Sequence, residues 1–218
     1  MLPAAIFDMD GLMFDTEALW QKGWRILAEK YGYEPSEDFG REVSGTSGAI
    51  MFSLIHRYYP GVDPEAFYHE EAAMVRGWLE EEVPVKPGLY EILAMFKEHG
   101  VKLAVASSSR EEMIRRNLQV TDTEQYFDVV LSAKKVKRAK PEPDVFLKAA
   151  ELLGYPPEQC YVFEDSFGGV RAGAAAGAHT YMIPDQVQPT EEIRGLVDGV
   201  FKDLHEAAQV LGKTNPKA

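Results

Sequence analysis

The sequence predicts an α/β protein built on a parallel sheet with helices on both faces, interrupted once by an inserted all-helical domain. Three observations carry this. Short apolar runs ending in polar or acidic residues recur along the 218 residues, helical patterns separate them, and one long interval has no strand pattern.

In chain order, the first run is "AAIFDMD" (4–10). The interval 15–82 follows: Trp20, Trp24, Leu27 and Tyr31 fall on one helical stripe, Phe67, Met74 and Trp78 on another, and "SGAIMFSLIHRYY" is a third helical candidate. These aromatics read as a core stripe in preference to a substrate box. The chain returns near "EEVPVKPG", whose prolines suit a linker. That divides the chain into a core of 1–14 with 83–218 and a helical domain of 15–82. The strand runs "KLAVASSS" (102–109), "FDVVLSA" (127–133), "CYVFEDS" (160–166) and "HTYMIPD" (179–185) then alternate with "PGLYEILAMFKEHG", "REEMIRRNLQV", "PEPDVFLKAAELLG" and "FGGVRAGAAAGA". Strand–helix alternation builds a parallel sheet covered on both faces, and ligands collect at the carboxyl ends of such strands. Four of the five runs end in Asp, Ser or both, so chemistry is expected there. Gly168, Gly169, Gly173 and Gly177 are read as letting a helix approach the sheet closely.

Composition narrows the partners. A net charge of −12 with no long acidic block argues against nucleic acid. No apolar stretch approaches the ~20 residues that span a bilayer, and Asp8 and Asp10 stand where a signal peptide would stay apolar, so a cytoplasmic protein is expected. The single cysteine, Cys160, excludes an intramolecular disulfide and reads as a small core residue. His56, His69, His99, His179 and His205 show no metal-ligand spacing. An acidic protein that handles an anion must supply cations locally, from lysine, backbone N–H groups or a metal.

The stretch "IFDMDGLMFDTE" (6–17) places four carboxylates in twelve positions, the first two directly behind an apolar run. An isolated buried carboxylate is expensive, so these acids must be solvated, paired or bound to metal. Asp8 and Asp10 are two apart, and on an extended segment both side chains leave the same face. A polar turn closed by Gly11 would explain them alone, but not the further acids Glu164 and Asp165 behind another strand.

"DMDGLMFDTE" resembles the first signature of the haloacid dehalogenase-like superfamily. Ser107 in "VASSS", Lys140 ahead of the prolines of "KPEPD", and Glu164 with Asp165 in "FEDS" resemble the remaining signatures in order, so the likeness spans nearly the whole chain. It is closest to the branch holding β-phosphoglucomutase and small sugar or metabolite phosphatases. The resemblance implies a Rossmann-like three-layer α/β/α core with an inserted helical cap. It implies Asp8 as nucleophile, forming an aspartyl phosphate, and Asp10 as acid and then base. It also places Ser107, Ser108 and Lys140 on the phosphate. Close carboxylates and a phosphate repel by about 4 kcal/mol per pair at ~4 Å and an effective dielectric near 20. Mg²⁺ suits that problem, with Asp8, the Asp10 backbone carbonyl and Asp165 as ligands and Glu164 binding directly or through water.

The expected function is therefore a Mg²⁺-dependent phosphatase acting on a small phosphorylated metabolite, a sugar phosphate first among the choices. The family's dehalogenases and phosphonate hydrolases lack the acid that stands here as Asp10. The alternative is a β-phosphoglucomutase-like isomerase, but the family's mutases carry a histidine where this chain has Trp20 and a cap-loop arginine where it has "SGTSGA", with Arg41 the nearest substitute. A non-enzymatic binding protein of the same fold would be expected to have lost one of these acids, and all are present. The sequence is silent on oligomeric state.

Overall fold

The computed structural model describes residues 1–44, 46 and 48–213. The chain forms two compact units, Met1–Phe14 with Val85–Ala218, and Asp15–Pro84.

The first unit is a six-stranded parallel sheet of β1 (Ala4–Phe7), β2 (Lys102–Ser107), β3 (Val129–Ser132), β4 (Cys160–Glu164), β5 (His179–Met182) and β6 (Gly199–Val200). Their spatial order is β3-β2-β1-β4-β5-β6, with Ala4 level with Lys102 on one side and Cys160 on the other. Alternate residues of a strand face opposite ways, and here each set finds its own helix layer. Ala4, Ile6, Ala104, Ala106 and Val162 pack with Val145, Phe146 and Ala149 of α7 (Asp144–Leu153). Phe7 stacks on Phe163 at 4.9 Å and meets Phe96 of α5 (Leu89–Glu98) edge-on at 6.1 Å. Burial on both faces explains why β1 and β4 are wholly buried and read as unbroken apolar runs. The strand order reverses direction at β1 and β4, and the crevice outside their carboxyl ends is where such sheets bind ligands. β6 was not among the five expected runs, because two residues carry no periodicity.

The glycines of α8 (Phe167–Ala175) and the turn after it divide. A Cβ on Gly169 would lie 1.8 Å from Glu164 Cδ, and one on Gly173 would lie 2.7 Å from Thr180 Oγ1, so these two do permit close approach. Gly168 and Gly177 have nothing within 4 Å, and the expectation of close packing fails for them; Gly177, at φ +78, serves the turn instead.

The second unit is helical: α1 (Thr16–Lys30), α2 (Glu37–Val43), α3 (Gly48–Tyr58) and α4 (Pro64–Glu81). Asp63 caps α4 by accepting from the Ala66 N–H, with Pro64 at the first helical position. Its core holds Trp24, Leu27, Phe39, Met51, Ile55, Tyr59 and Phe67. Tyr31 lies at the rim of the expected stripe: its ring meets Phe67 edge-on at 5.4 Å, but it is 42% exposed and its hydroxyl donates to Glu70. One acid, Glu71, is fully buried, packed against Gly23. The unit begins and ends at one point, where the Asp15 N–H donates to the Pro84 carbonyl at 2.8 Å, while Phe14 bridges Val85 in the first unit. These pairings put the return boundary at Pro84, two residues beyond the expected one. Gly45 and Ser47 of "SGTSGA" lie outside the described residues. Among the described residues, no helix is long and apolar enough to cross a membrane.

Candidate active site

β1 delivers Asp8 to the switch point, where its N–H still pairs with the Phe163 carbonyl at 3.1 Å. The chain then turns on Gly11, at φ +86, and the Gly11 N–H reaches the Phe14 carbonyl at 2.9 Å. A Cβ on Gly11 would stand 2.3 Å from Asp165 Oδ2, so only glycine lets this loop lie against the end of β4.

Two acids of one short loop meet different surroundings. Asp8 is buried and its Oδ1 accepts from Lys140 Nζ at 2.5 Å. Asp10 Oδ2 accepts from the hydroxyls of Ser107, at 3.2 Å, and Ser109, at 2.8 Å. The Ser109 N–H bonds Ser107 Oγ, and the Ser132 hydroxyl donates to the Ser109 carbonyl at 2.6 Å, which ties the β2 and β3 ends into this bracket.

Lys140, in the loop before α7, spreads its donors over Asp8 Oδ1, Glu164 Oε1 at 2.6 Å and the Ala106 carbonyl at 3.2 Å. Burial alone would lower its pKa, but the carboxylates of Asp8 and Glu164 hold it above the ordinary lysine value, so the ammonium stays charged. Glu164 is fully occupied: beyond Lys140, its Oε2 accepts from the N–H groups of Asp165 and Ser166 and from the Ser166 hydroxyl. Ser166 in turn caps α8 through the Gly169 N–H.

Asp8, Glu164 and Asp165 bring carboxylate oxygens within 4.8 Å of one another. Burial first, then the Glu164 and Asp10 carboxylates, push the Asp8 pKa up against the pull of Lys140. Asp165 is pushed up as well, by burial and then by Glu164 and Asp8. Acids so crowded call for a cation, and an all-oxygen donor set fits a hard divalent ion such as Mg²⁺.

The structure thus brings together Asp8, Asp10, Ser107, Lys140, Glu164 and Asp165. Ser108 is exposed beside them. Ser109 escaped the sequence reading. Its only signal was the run of three serines that begins at the last residue of β2, which does not say which of them turn toward Asp10.

The site is thus four acids and one buried lysine gathered at the switch point of a doubly wound parallel sheet, the place where α/β folds bind ligands. The family model for haloacid dehalogenase-like hydrolases matches residues 5–183, and the chain belongs to that family. It is 37% identical over 180 residues to a phosphorylated carbohydrates phosphatase of Thermotoga maritima, covering 81% of this chain and 82% of that protein. Hexitol phosphatase B of Escherichia coli K12 is 32% identical over 186 residues, covering 83% of each. A Thermotoga maritima crystal structure assigned provisionally as a β-phosphoglucomutase matches with a TM-score of 0.84 at 30% identity, over 98% of this chain and 100% of that one.

Proposed function

We propose that this chain is a Mg²⁺-dependent phosphatase that hydrolyses a small phosphorylated metabolite, a sugar or sugar-alcohol phosphate, through an aspartyl phosphate on Asp8. The supporting observation is the division of the two loop acids: Asp8 lies with Lys140 and the Glu164–Asp165 pair, while Asp10 is held apart on the Ser107 and Ser109 hydroxyls. Neighbouring carboxyls in unlike surroundings can take opposite roles. In this reading the Asp8 carboxylate attacks phosphorus and the ester oxygen departs with the proton carried by Asp10. Asp10 then accepts a proton from the water that opens the acyl phosphate, which releases phosphate and restores Asp8. Lys140 and Ser107, with the Ser108 N–H, face the phosphoryl oxygens. Asp8, Asp165 and the Asp10 backbone carbonyl would hold Mg²⁺, whose charge offsets that of the phosphoryl group. Glu164, its oxygens engaged, holds Lys140 in place.

The mutase reading has less support. Trp20 is stacked on Tyr68, 8° from parallel with centroids 6.2 Å apart, where the family's mutases carry a histidine, and Arg41 is exposed and paired with Asp38. With Mg²⁺, the protein is expected to release inorganic phosphate from sugar monophosphates, and a folded Asp8→Asn protein to release none. Conversion of β-glucose 1-phosphate to glucose 6-phosphate without phosphate release would favour the mutase instead.

A further inference from the structure

Asp185 follows β5, and the reaction scheme gives it no part. Its side chain is only 10% exposed. Oδ1 accepts from Lys86 Nζ at 2.6 Å, and Oδ2 accepts from the Gln186 amide at 3.2 Å. That same Oδ2 lies 3.4 Å from the point where a Gly11 Cβ would stand, and Asp165 Oδ2 lies 2.3 Å from that point. Two carboxyls therefore face each other across the bare Cα of Gly11, one of them assigned above to the metal. Lys86 is fixed from behind: its N–H donates to the Met13 carbonyl at 2.9 Å and its neighbour Val85 bridges Phe14, so it is anchored to the loop that carries Asp8 and Asp10.

We infer that Lys86 is a metal-selectivity residue: by engaging Asp185 it keeps that carboxylate out of the coordination sphere of the ion held by Asp165. The inference rests on the metal reading under Proposed function. Mg²⁺ binds through one or two carboxylates and retains several waters in a tight octahedron, whereas Ca²⁺ takes six to eight oxygens at longer range and profits from each added carboxylate. Released from Lys86, Asp185 has only a short distance to travel to join Asp165. The site would then hold one more oxygen ligand than Mg²⁺ needs and move toward the ligand number of Ca²⁺.

Binding of Mg²⁺ and Ca²⁺ to the purified chain, measured separately by isothermal titration calorimetry, tests this without recourse to turnover. Loss of one positive charge tightens both ions together, so the ratio of the two Kd values is the readout. Lys86→Met is expected to shift that ratio toward Ca²⁺ by about tenfold, the lower end of what outer partners of metal ligands contribute. Lys86→Arg should keep the wild-type ratio, and adding Asp185→Asn to Lys86→Met should restore it. A folded Lys86→Met protein with the wild-type ratio overturns the inference alone, as does a shift that persists in the double variant. If Lys86→Met does not fold, Lys86→Gln is read in its place by the same criteria. A wild-type chain that binds neither ion overturns the metal reading and this inference with it.

Discussion

Replacing Glu71 with glutamine should stabilise the protein, and by an amount that depends on pH. Glu71 is fully buried, neither of its carboxyl oxygens has a hydrogen bond of good geometry, and Gly23 is packed so closely that a Cβ there would lie 2.8 Å from Glu71 Cγ and Oε1. Burial first, and the Glu17 carboxylate next, push its pKa from 4.5 up to about 10 against a small pull from the Trp24 backbone. Glu71 is therefore protonated in the native protein at neutral pH and ionised in the unfolded chain. The unfolded chain binds fewer protons, so this group's contribution is whole below about pH 4.5 and is lost steadily as pH rises toward 10. Each pH unit above the unfolded pKa costs about 1.4 kcal/mol, which makes about 3 kcal/mol at pH 7. Glutamine has the same shape and no proton to take up. Urea denaturation followed by the fluorescence of Trp20, Trp24 and Trp78 should show Glu71→Gln more stable by about 3 kcal/mol at pH 7. The gain should widen at pH 8 and vanish near pH 4.5. A gain that does not change with pH, or a variant less stable than the parent at pH 8, would refute the reasoning.

Other substitutions probe the reaction centre. Gly169→Ala places a methyl group 1.8 Å from Glu164 Cδ, and it should lower stability by about 1–3 kcal/mol and depress kcat as Glu164 is driven off Lys140; a thermal melt with a phosphate-release assay reads both. Lys140→Met leaves Asp8 and Glu164 buried without their cation, so a loss of about 3 kcal/mol in urea denaturation is expected together with loss of turnover. Ser109→Ala removes the shorter of the two hydroxyl bonds to Asp10 and should lower kcat about tenfold with little change in KM, since proton transfer by a positioned acid contributes at least that much. An unchanged kcat in steady-state kinetics would remove Ser109 from the positioning of Asp10.

Much of this architecture could be read in advance because it is written in contiguous stretches. Asp8 with Asp10, Ser107, Lys140, and Glu164 with Asp165 each stand at the end of a short apolar run or before a proline-led helix, and strand ends are where a doubly wound sheet gathers its chemistry. What escaped depends on contacts between distant segments or on patterns too short to repeat. Lys86 and Asp185 are 99 positions apart, and neither neighbourhood hints at the other. The three serines 107–109 look alike until the fold of the loop after β2 turns Ser109 toward Asp10. Tyr31 keeps the spacing of its stripe, yet it stands just past the end of α1, so its ring covers Phe67 from the rim of the core while its hydroxyl reaches Glu70.

The junction of the helical unit has a bearing on how such a chain changes over time. With the Asp15 N–H on the Pro84 carbonyl at 2.8 Å and Phe14 beside Val85, the sheet-bearing unit meets the whole segment from Asp15 to Pro84 as though it were a hairpin turn. Chain length between two fixed ends costs little, since closure entropy grows only with the logarithm of loop length. Helices there can be lengthened, shortened or exchanged without moving the register of β1 against its neighbours. The helical segment and the acids at the strand ends are then free to vary separately, because a change in the length of one leaves the other where it stands in the chain.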